Sequence, residues 1–328
     1  MTAESFAAYA DKRVLITGGL GFIGSNLAHH LVALGAEVSI IDGLIPGCGG
    51  DAANIAGIEA SVKVEVAELE SPLTERLVAG QEVIFNLAGQ LSHVLSMREP
   101  QRDLQLNCAG QLALLEACRQ HNPTARFVYT ASRSQYGRPR YVPVDEGHPL
   151  EPVDVNGVHK TAAEAYHFVY AHAYGLPVCS LRLTNTYGPR QPIDDDRQGF
   201  VGWFIGRAVK GEPLRVFGDG TQKRDFTHVD DVIDAILLAG LRQEAIGQVF
   251  NLGGEVASVL ELAQLLSKAA GRAAPEVVPF PPERQAIEIG NFYADWNKIK
   301  AVLGWEPRIS LEEGLRQTLA FFAAAKRA

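Results

Sequence analysis

Residues 13–17 (Arg-Val-Leu-Ile-Thr) run straight into Gly18-Gly19-Leu20-Gly21-Phe22-Ile23-Gly24, and a helical pattern opens inside that loop. Strand, glycine loop and helix in that order restrict the fold more than any other feature of the chain. Ile23, Leu27, Leu31 and Leu34 step by four, four and three, and Gly35 supplies a C-terminal stop. A helix N-terminus presents unpaired backbone N–H groups to an anion, and glycines let a pyrophosphate approach the chain closely. Asp42 ends the next strand-like run, where an acceptor for a ribose 2′-hydroxyl belongs. Gly43, Leu44 and Ile45 follow it, with no Arg to hold a 2′-phosphate, which favours NAD over NADP. The bland alternative is a glycine-rich turn with a capping Asp.

Strand-like runs recur at residues 37–41, 62–66, 83–87, 126–132 and 178–183. They are continuously apolar rather than alternating, as in a sheet covered on both faces. Helical stepping lies between them, for example Leu104, Cys108, Leu112 and Leu115. The expected fold is α/β, a doubly wound parallel (Rossmann) sheet with a smaller C-terminal α/β substrate domain. At 328 residues the chain has room for both. The division expected is residues 1–185 for the dinucleotide and 186–328 for the substrate, with segments near 226–255 returning to the first sheet. A helix is expected over 200–210 and a hairpin over 214–226 around Asp219-Gly220. Ser310 and Glu313 form a capping box for a last helix.

A net charge of −8 argues against a broad nucleic-acid surface but leaves room for an anionic ligand held by a few Arg. Cys48, Cys108, Cys118 and Cys179 show no metal spacing and read as buried thiols in a reducing compartment. No metal site is expected; His29-His30 and His167/His172 read as helix surface. The first 13 residues lack a signal-peptide core and no apolar run approaches ~18 residues. A cytoplasmic chain without membrane contact is expected.

From end to end the chain resembles the extended short-chain dehydrogenase/reductase family, in particular its NAD-dependent nucleotide-sugar epimerases and dehydratases, such as the UDP-glucose 4-epimerases. The resemblance is carried by Gly18-x-x-Gly21-x-x-Gly24, Asn86-Leu87-Ala88-Gly89, Ser132 before Tyr136-Gly137, and the run from Leu181 to Arg190. Phe217-Gly218-Asp219-Gly220-Thr221 through Arg224-Asp225-Phe226, and Leu303-Gly304-Trp305-Glu306-Pro307, complete it. It implies that Glu68 and Leu69 contact adenine and that Leu87, Ala88, Gly89, Asn107 and Lys160 hold the inner part of NAD, beside Phe22 and Ile23 of the phosphate loop. It implies that His93, Asn185 and Arg224 meet the nucleotide-diphosphate sugar, a UDP-sugar by preference. Helices around 104–118 and 157–173 resemble the pair through which the family forms homodimers.

One position departs. The family pairs a Tyr with a Lys four residues later, on one helix face. Here Lys160 fits its context, yet Asn156 stands where the Tyr belongs, and none of the nine lysines has a Tyr four residues before it. Asn does not titrate, and a positioned acid/base is worth ~10²–10⁴ in rate. Three readings follow. Tyr136, His93 or Lys160 substitutes; a water or substrate group held by Ser132 and Asn156 relays the proton; or the protein binds its ligands and turns over weakly. Ser132-Arg133-Ser134 carries neither carboxylate that the family's dehydratases show after the Ser/Thr, which disfavours elimination. Arg133 reads as a sheet-end Arg, with contact to a sugar carboxylate as the alternative. Epimerisation through a keto intermediate is the expected reaction, against a ketoreductase or a weakly catalytic binding protein.

Overall fold

The computed structural model describes residues 3–195, 197, 199–285 and 288–325. Its frame is a seven-stranded sheet built from β1 (Arg13–Thr17), β2 (Glu37–Asp42), β3 (Val62–Val66), β4 (Val83–Asn86), β5 (Arg126–Ser132), β6 (Val178–Leu183) and β10 (Val249–Asn251). The order is β10-β6-β5-β4-β1-β2-β3, and every pairing is parallel. The chain runs outward in one direction through β1–β3, then crosses back to β4. The reversal point therefore lies between β1 and β4, where open parallel sheets bind ligands beyond the strand C-termini.

Successive residues of each strand feed opposite faces, and both faces are covered. Val14 and Ile16 join one core with Phe85 and Val128, under helices Phe22–Ala33 and Val229–Leu241. Leu15 joins the other with Ile84, Phe127 and Tyr129, under helices Gly110–His121 and Val155–Tyr174. All eight strand residues just named are at most 1% exposed, and each fully buried large apolar side chain contributes roughly 1.5–3 kcal/mol. That two-sided burial is why these strands read as continuous apolar runs. The expected stretch 104–118 is interrupted by one wide π turn, Gln105–Ala109, before the helix proper begins.

A third core gathers Phe204, Ile205, Val216, Phe226, Leu262 and Leu315 between helices Phe200–Lys210, Val259–Ala269 and Leu311–Ala325. Two small sheets meet it: β11-β9-β7 (Glu255–Ser258, Lys223–His228, Asn185–Tyr187) and β12-β8 (Glu276–Val278, Arg215–Phe217). The hairpin expected over 214–226 is not formed. β8 pairs with β12, whereas β9 pairs with β7 and β11. Asp219 accepts the N–H and O–H of Thr221 at 3.0 and 2.8 Å, and Gly218 and Gly220 take φ +71° and +70°. The turn forms as its residues dictate, but it redirects the chain into a second sheet. Near the end, Gly304 at φ +71° stops helix Asn297–Leu303, and buried Trp305 donates its indole N–H to Asp231 O at 2.8 Å. Glu313 N–H donates to Ser310 Oγ at 3.3 Å, as the cap spacing predicts. Among the described residues no helix is long and apolar enough to cross a membrane.

Candidate active site

One cavity of about 670 Å³ lies beyond the C-terminal strand ends and reaches from the Gly18–Gly24 loop to Arg215 and Arg224. Its first arm is built for backbone approach. Gly18 takes φ +70°, and a Cβ there would stand 2.9 Å from the Ala88 backbone. A Cβ on Gly24 would stand 2.2 Å from the Gly18 carbonyl oxygen. Gly21, Phe22, Ile23, Asp42, Glu68, Leu69, Leu87, Ala88 and Gly89 all line this space. Asp42 is fixed at the end of β2 by accepting the N–H groups of Leu20 and Leu44 at 3.0 and 2.9 Å. Glu68 is gripped by both terminal nitrogens of Arg102 at 2.9 and 3.1 Å, which lowers its pKa. Glycines that exclude any side chain, the open first turn of helix Phe22–Ala33 and the fixed Asp42 suit a dinucleotide pyrophosphate and ribose. Gly24→Ala is expected to lose copurifying NAD and to weaken NAD binding at least about tenfold, or ~1.4 kcal/mol. Cofactor content after purification checks it; unchanged content would contradict it.

The floor between the arms is a closed polar belt. Thr17 Oγ1 donates to Asn86 Oδ1 at 2.7 Å, and Asn86 Nδ2 donates to Gln111 Oε1 at 2.6 Å. Gln111 Nε2 donates to Ala88 O at 3.0 Å, and Ala88 N–H returns to Thr17 Oγ1 at 3.2 Å. His167 belongs to this belt and not, as expected, to the helix surface. It is fully buried, its Nε2 lies 3.2 Å from Asn86 Nδ2, and its ring stacks on Tyr129 at 4.1 Å. Burial pushes its pKa down to about 4, so it stays a neutral imidazole. Asn107, expected among the cofactor contacts, instead clamps Gln90, with Oδ1 and Nδ2 each 3.1 Å from its backbone N and O.

Lys160 and Ser132 both line the cavity. Lys160 is 3% exposed, its ammonium has no hydrogen bond to a described residue, and burial pushes its pKa down to about 8 against the pull of Asp103. A Cβ on Gly89 would stand 2.7 Å from its Nζ, so the chain passes close beside the ammonium there. Ser132 Oγ accepts the Ser134 N–H at 3.2 Å, which leaves its own O–H free to donate to a ligand. The other two expected catalytic residues do not line the cavity. Tyr136 is fully buried; its hydroxyl accepts from Arg182 Nη1 and donates to Asn251 Oδ1, both at 2.7 Å, and burial raises its pKa to about 12. Asn156 turns its amide onto Gln90 O at 2.9 Å and Asp103 Oδ2 at 3.3 Å. Asp103 also holds His159 Nδ1 at 2.6 Å, so Asn156 is a strut in a buried network. His93 lines the cavity, with Nδ1 2.7 Å from Asp154 Oδ2.

The far arm is basic. Arg133, Arg197, Arg207, Arg215 and Arg224 line it. Arg224 Nη2 meets Glu288 Oε1 at 2.8 Å, so the grip on phosphate expected of it competes with a carboxylate. Asn185 donates its amide to Asp225 O at 2.9 Å. Arg133 lines the cavity half-buried, over the Phe292 ring at 5.5 Å, and burial pushes its pKa down to about 10. Its guanidinium makes no hydrogen bond or ion pair to a described residue. Thr186 Oγ1 and Gln191 Oε1 are buried at the same end without a hydrogen-bond partner among the described residues. Arg207 and Arg215 had no sequence signal: they converge from helix Phe200–Lys210 and from β8. All four cysteines are free thiols; Cys48, expected buried, is half-buried in the cavity wall.

The model of the NAD-dependent epimerase/dehydratase family matches residues 14–253. A UDP-glucose 4-epimerase of Mycolicibacterium smegmatis is 36% identical over 316 residues, covering 94% of this chain and 98% of its own. A CDP-paratose 2-epimerase of Salmonella typhi is 29% identical over 334 residues, with 93% and 97% covered. The structure of Thermotoga maritima UDP-glucose 4-epimerase with UDP-glucose superposes with a TM-score of 0.88 at 34% identity, over 96% of this chain and 99% of that one. Sequence and backbone thus agree along nearly the whole length, and the chain belongs to the NAD-dependent epimerase/dehydratase family.

Proposed function

We propose that this protein epimerises a nucleotide-diphosphate sugar, UDP-linked by preference, through a transient keto sugar. NAD, when bound, supplies reversible hydride acceptance at the reacting carbon. The observation that carries the reading is the single cavity joining the glycine loop to an arginine-lined arm. Backbone N–H groups meet one diphosphate, and guanidinium groups, which grip phosphate in a bidentate way, meet the other. Asn185 and Arg224 line the second arm, with Arg224 exchanging Glu288 for phosphate. Ser132 orients the sugar hydroxyl, and Lys160 places a buried positive charge beside the nicotinamide ribose. Residues 186–328 form the greater part of the nucleotide-sugar arm. Elimination lacks its acid and base, since Arg133 and Ser134 follow Ser132. The Arg133 guanidinium, without an ion pair among the described residues, favours a sugar bearing a carboxylate.

Incubation with UDP-hexoses and UDP-hexuronates, followed by separation of the products, tests the reading. Epimers without net NADH change are expected, whereas stoichiometric NADH consumption would establish a ketoreductase. Bound ligands with no turnover would leave a binding protein, the reading that the inward-turned Asn156 favours. Four free thiols support the reading of a reducing compartment, the cytoplasm.

One surface supports a homodimer. Leu104, Leu112, Val158 and Val169 are 42, 37, 51 and 57% exposed on the helical stretches expected to pair. Apolar side chains this exposed on adjoining helices suit a second copy of the same surface. Sedimentation should show a dimer at micromolar concentration and a monomer for Val158→Glu/Val169→Glu. A wild-type monomer would contradict the assignment.

A further inference from the structure

We propose that His93, oriented by Asp154, is the acid–base group that replaces the family's tyrosine and exchanges a proton with the hydroxyl at the reacting carbon. The proposal rests on the epimerase reading above.

The pair has a fixed end and an open end. Asp154 is 5% exposed in its side chain and His93 36%. Asp154 Oδ2 meets His93 Nδ1 at 2.7 Å, while Oδ1 accepts the Gly157 N–H at 2.8 Å and so caps helix Val155–Tyr174. A carboxylate pinned in this way keeps the neutral imidazole protonated at Nδ1 and leaves the Nε2 lone pair as the acceptor. Burial raises the Asp154 pKa, but the imidazole and the capping N–H outweigh it and hold the group ionised, ready to stabilise an imidazolium. The backbone is fixed too. Ser96 Oγ donates to His93 O at 2.8 Å and accepts the Asn156 N–H at 3.1 Å. Helix His93–Arg98 is thereby docked against the very turn that carries Asn156.

The neighbouring groups do not serve. Tyr136 is locked beneath the cavity and Asn156 does not titrate. Ser132 donates a hydrogen bond but is too weak an acid to hold a proton balance near neutrality. Among the cavity groups, His93 combines an open ring nitrogen with a buried carboxylate that fixes the other one.

In the forward half-reaction the hydroxyl O–H bond breaks and its proton goes to Nε2. The oxygen's electron pair forms the C=O bond, and the carbon's hydrogen leaves with its electron pair to oxidised NAD. Return of the hydride to the opposite face takes the same proton back from Nε2. The imidazolium–carboxylate pair exists only in between, so the relay is returned unchanged.

His93→Ala in the holoenzyme is expected to lose on the order of 10²–10⁴ in kcat. NAD content and the calorimetric affinity for UDP should stay within about threefold, and added imidazole should restore part of the turnover. Undiminished turnover, or lost turnover together with lost NAD and no imidazole rescue, would overturn the proposal. Nitrogen-15 NMR of the imidazole gives a readout that does not need turnover. The Nδ1–H tautomer is expected in the wild type and its loss in Asp154→Asn; an Nε2–H tautomer in the wild type overturns the pair. Wild-type protein that forms no epimer from any sugar nucleotide while showing the Nδ1–H tautomer overturns the epimerase reading, and with it the role of His93.

Discussion

Lys160→Met should cost on the order of 10²–10³ in turnover and at the same time stabilise the cofactor-free protein. The two effects have one cause. The ammonium is buried at the cavity floor without a hydrogen-bond partner among the described residues, and burial pushes its pKa down to about 8. At pH 7 the native state therefore carries a charge that it holds less favourably than the unfolded chain does, at a cost of a few kcal/mol. Methionine has similar length and no charge, so that cost disappears with the function. The sign of the pH dependence follows. Between about pH 8 and the unfolded value near ~10.4, the unfolded state binds more protons than the native state. Wild-type stability thus rises with pH across that window relative to the variant, and the advantage of Lys160→Met shrinks. Urea unfolding of both apo-proteins at pH 7 and pH 9.5 measures it. A variant less stable than wild type at pH 7, or one with full turnover, would contradict the account.

Arg182→Ala is expected to destabilise the fold by about 3–5 kcal/mol. Arg182 Nε lies 3.1 Å from each oxygen of Glu164, and its Nη2 also meets Oε2; the side chains are 7 and 5% exposed. Ser180 Oγ and Gln135 Nε2 add hydrogen bonds to the same carboxylate at 2.6 and 3.0 Å. Removing the guanidinium strands a buried charge and releases the Tyr136 hydroxyl, which anchors the loop after Ser132. Arg182→Met/Glu164→Leu removes both charges and should recover most of the loss, because a buried pair costs more to break than to replace. Thermal unfolding of the two variants distinguishes a network of this kind from two independent residues.

What the residues disclose by themselves depends on how local the determining interaction is. β1, β5 and β6 are legible to the residue because burial on both faces demands a nearly unbroken apolar run. The glycine loop and Asp42 are legible because close backbone approach leaves no alternative residue. His167 had a signal that was read wrongly: Lys160, Ala163, His167 and Tyr170 step by three, four and three along one buried face. The Asp219-Gly220 turn formed, but a turn residue fixes a local reversal and says nothing about which sheet receives the next strand. Tyr136 shows the limit most plainly. Its partners Arg182 and Asn251 lie 46 and 115 positions away, so no local spacing reveals that its hydroxyl is occupied. The same holds for His93 and Asp154, 61 positions apart, although the capping role of an Asp three residues before Gly157 was within reach of the sequence.

The central claim is that a hydride leaves the sugar and comes back to the same carbon while a protein without the family's tyrosine moves the proton. The most direct measurement uses a nucleotide sugar deuterated at the epimerised carbon, incubated with the holoprotein in ordinary water, with the product read by mass spectrometry and NMR. The account predicts an inverted product that keeps its deuterium, with no net change in NADH absorbance. Inversion with deuterium washed out to solvent, or no inversion from any labelled sugar nucleotide, would contradict it.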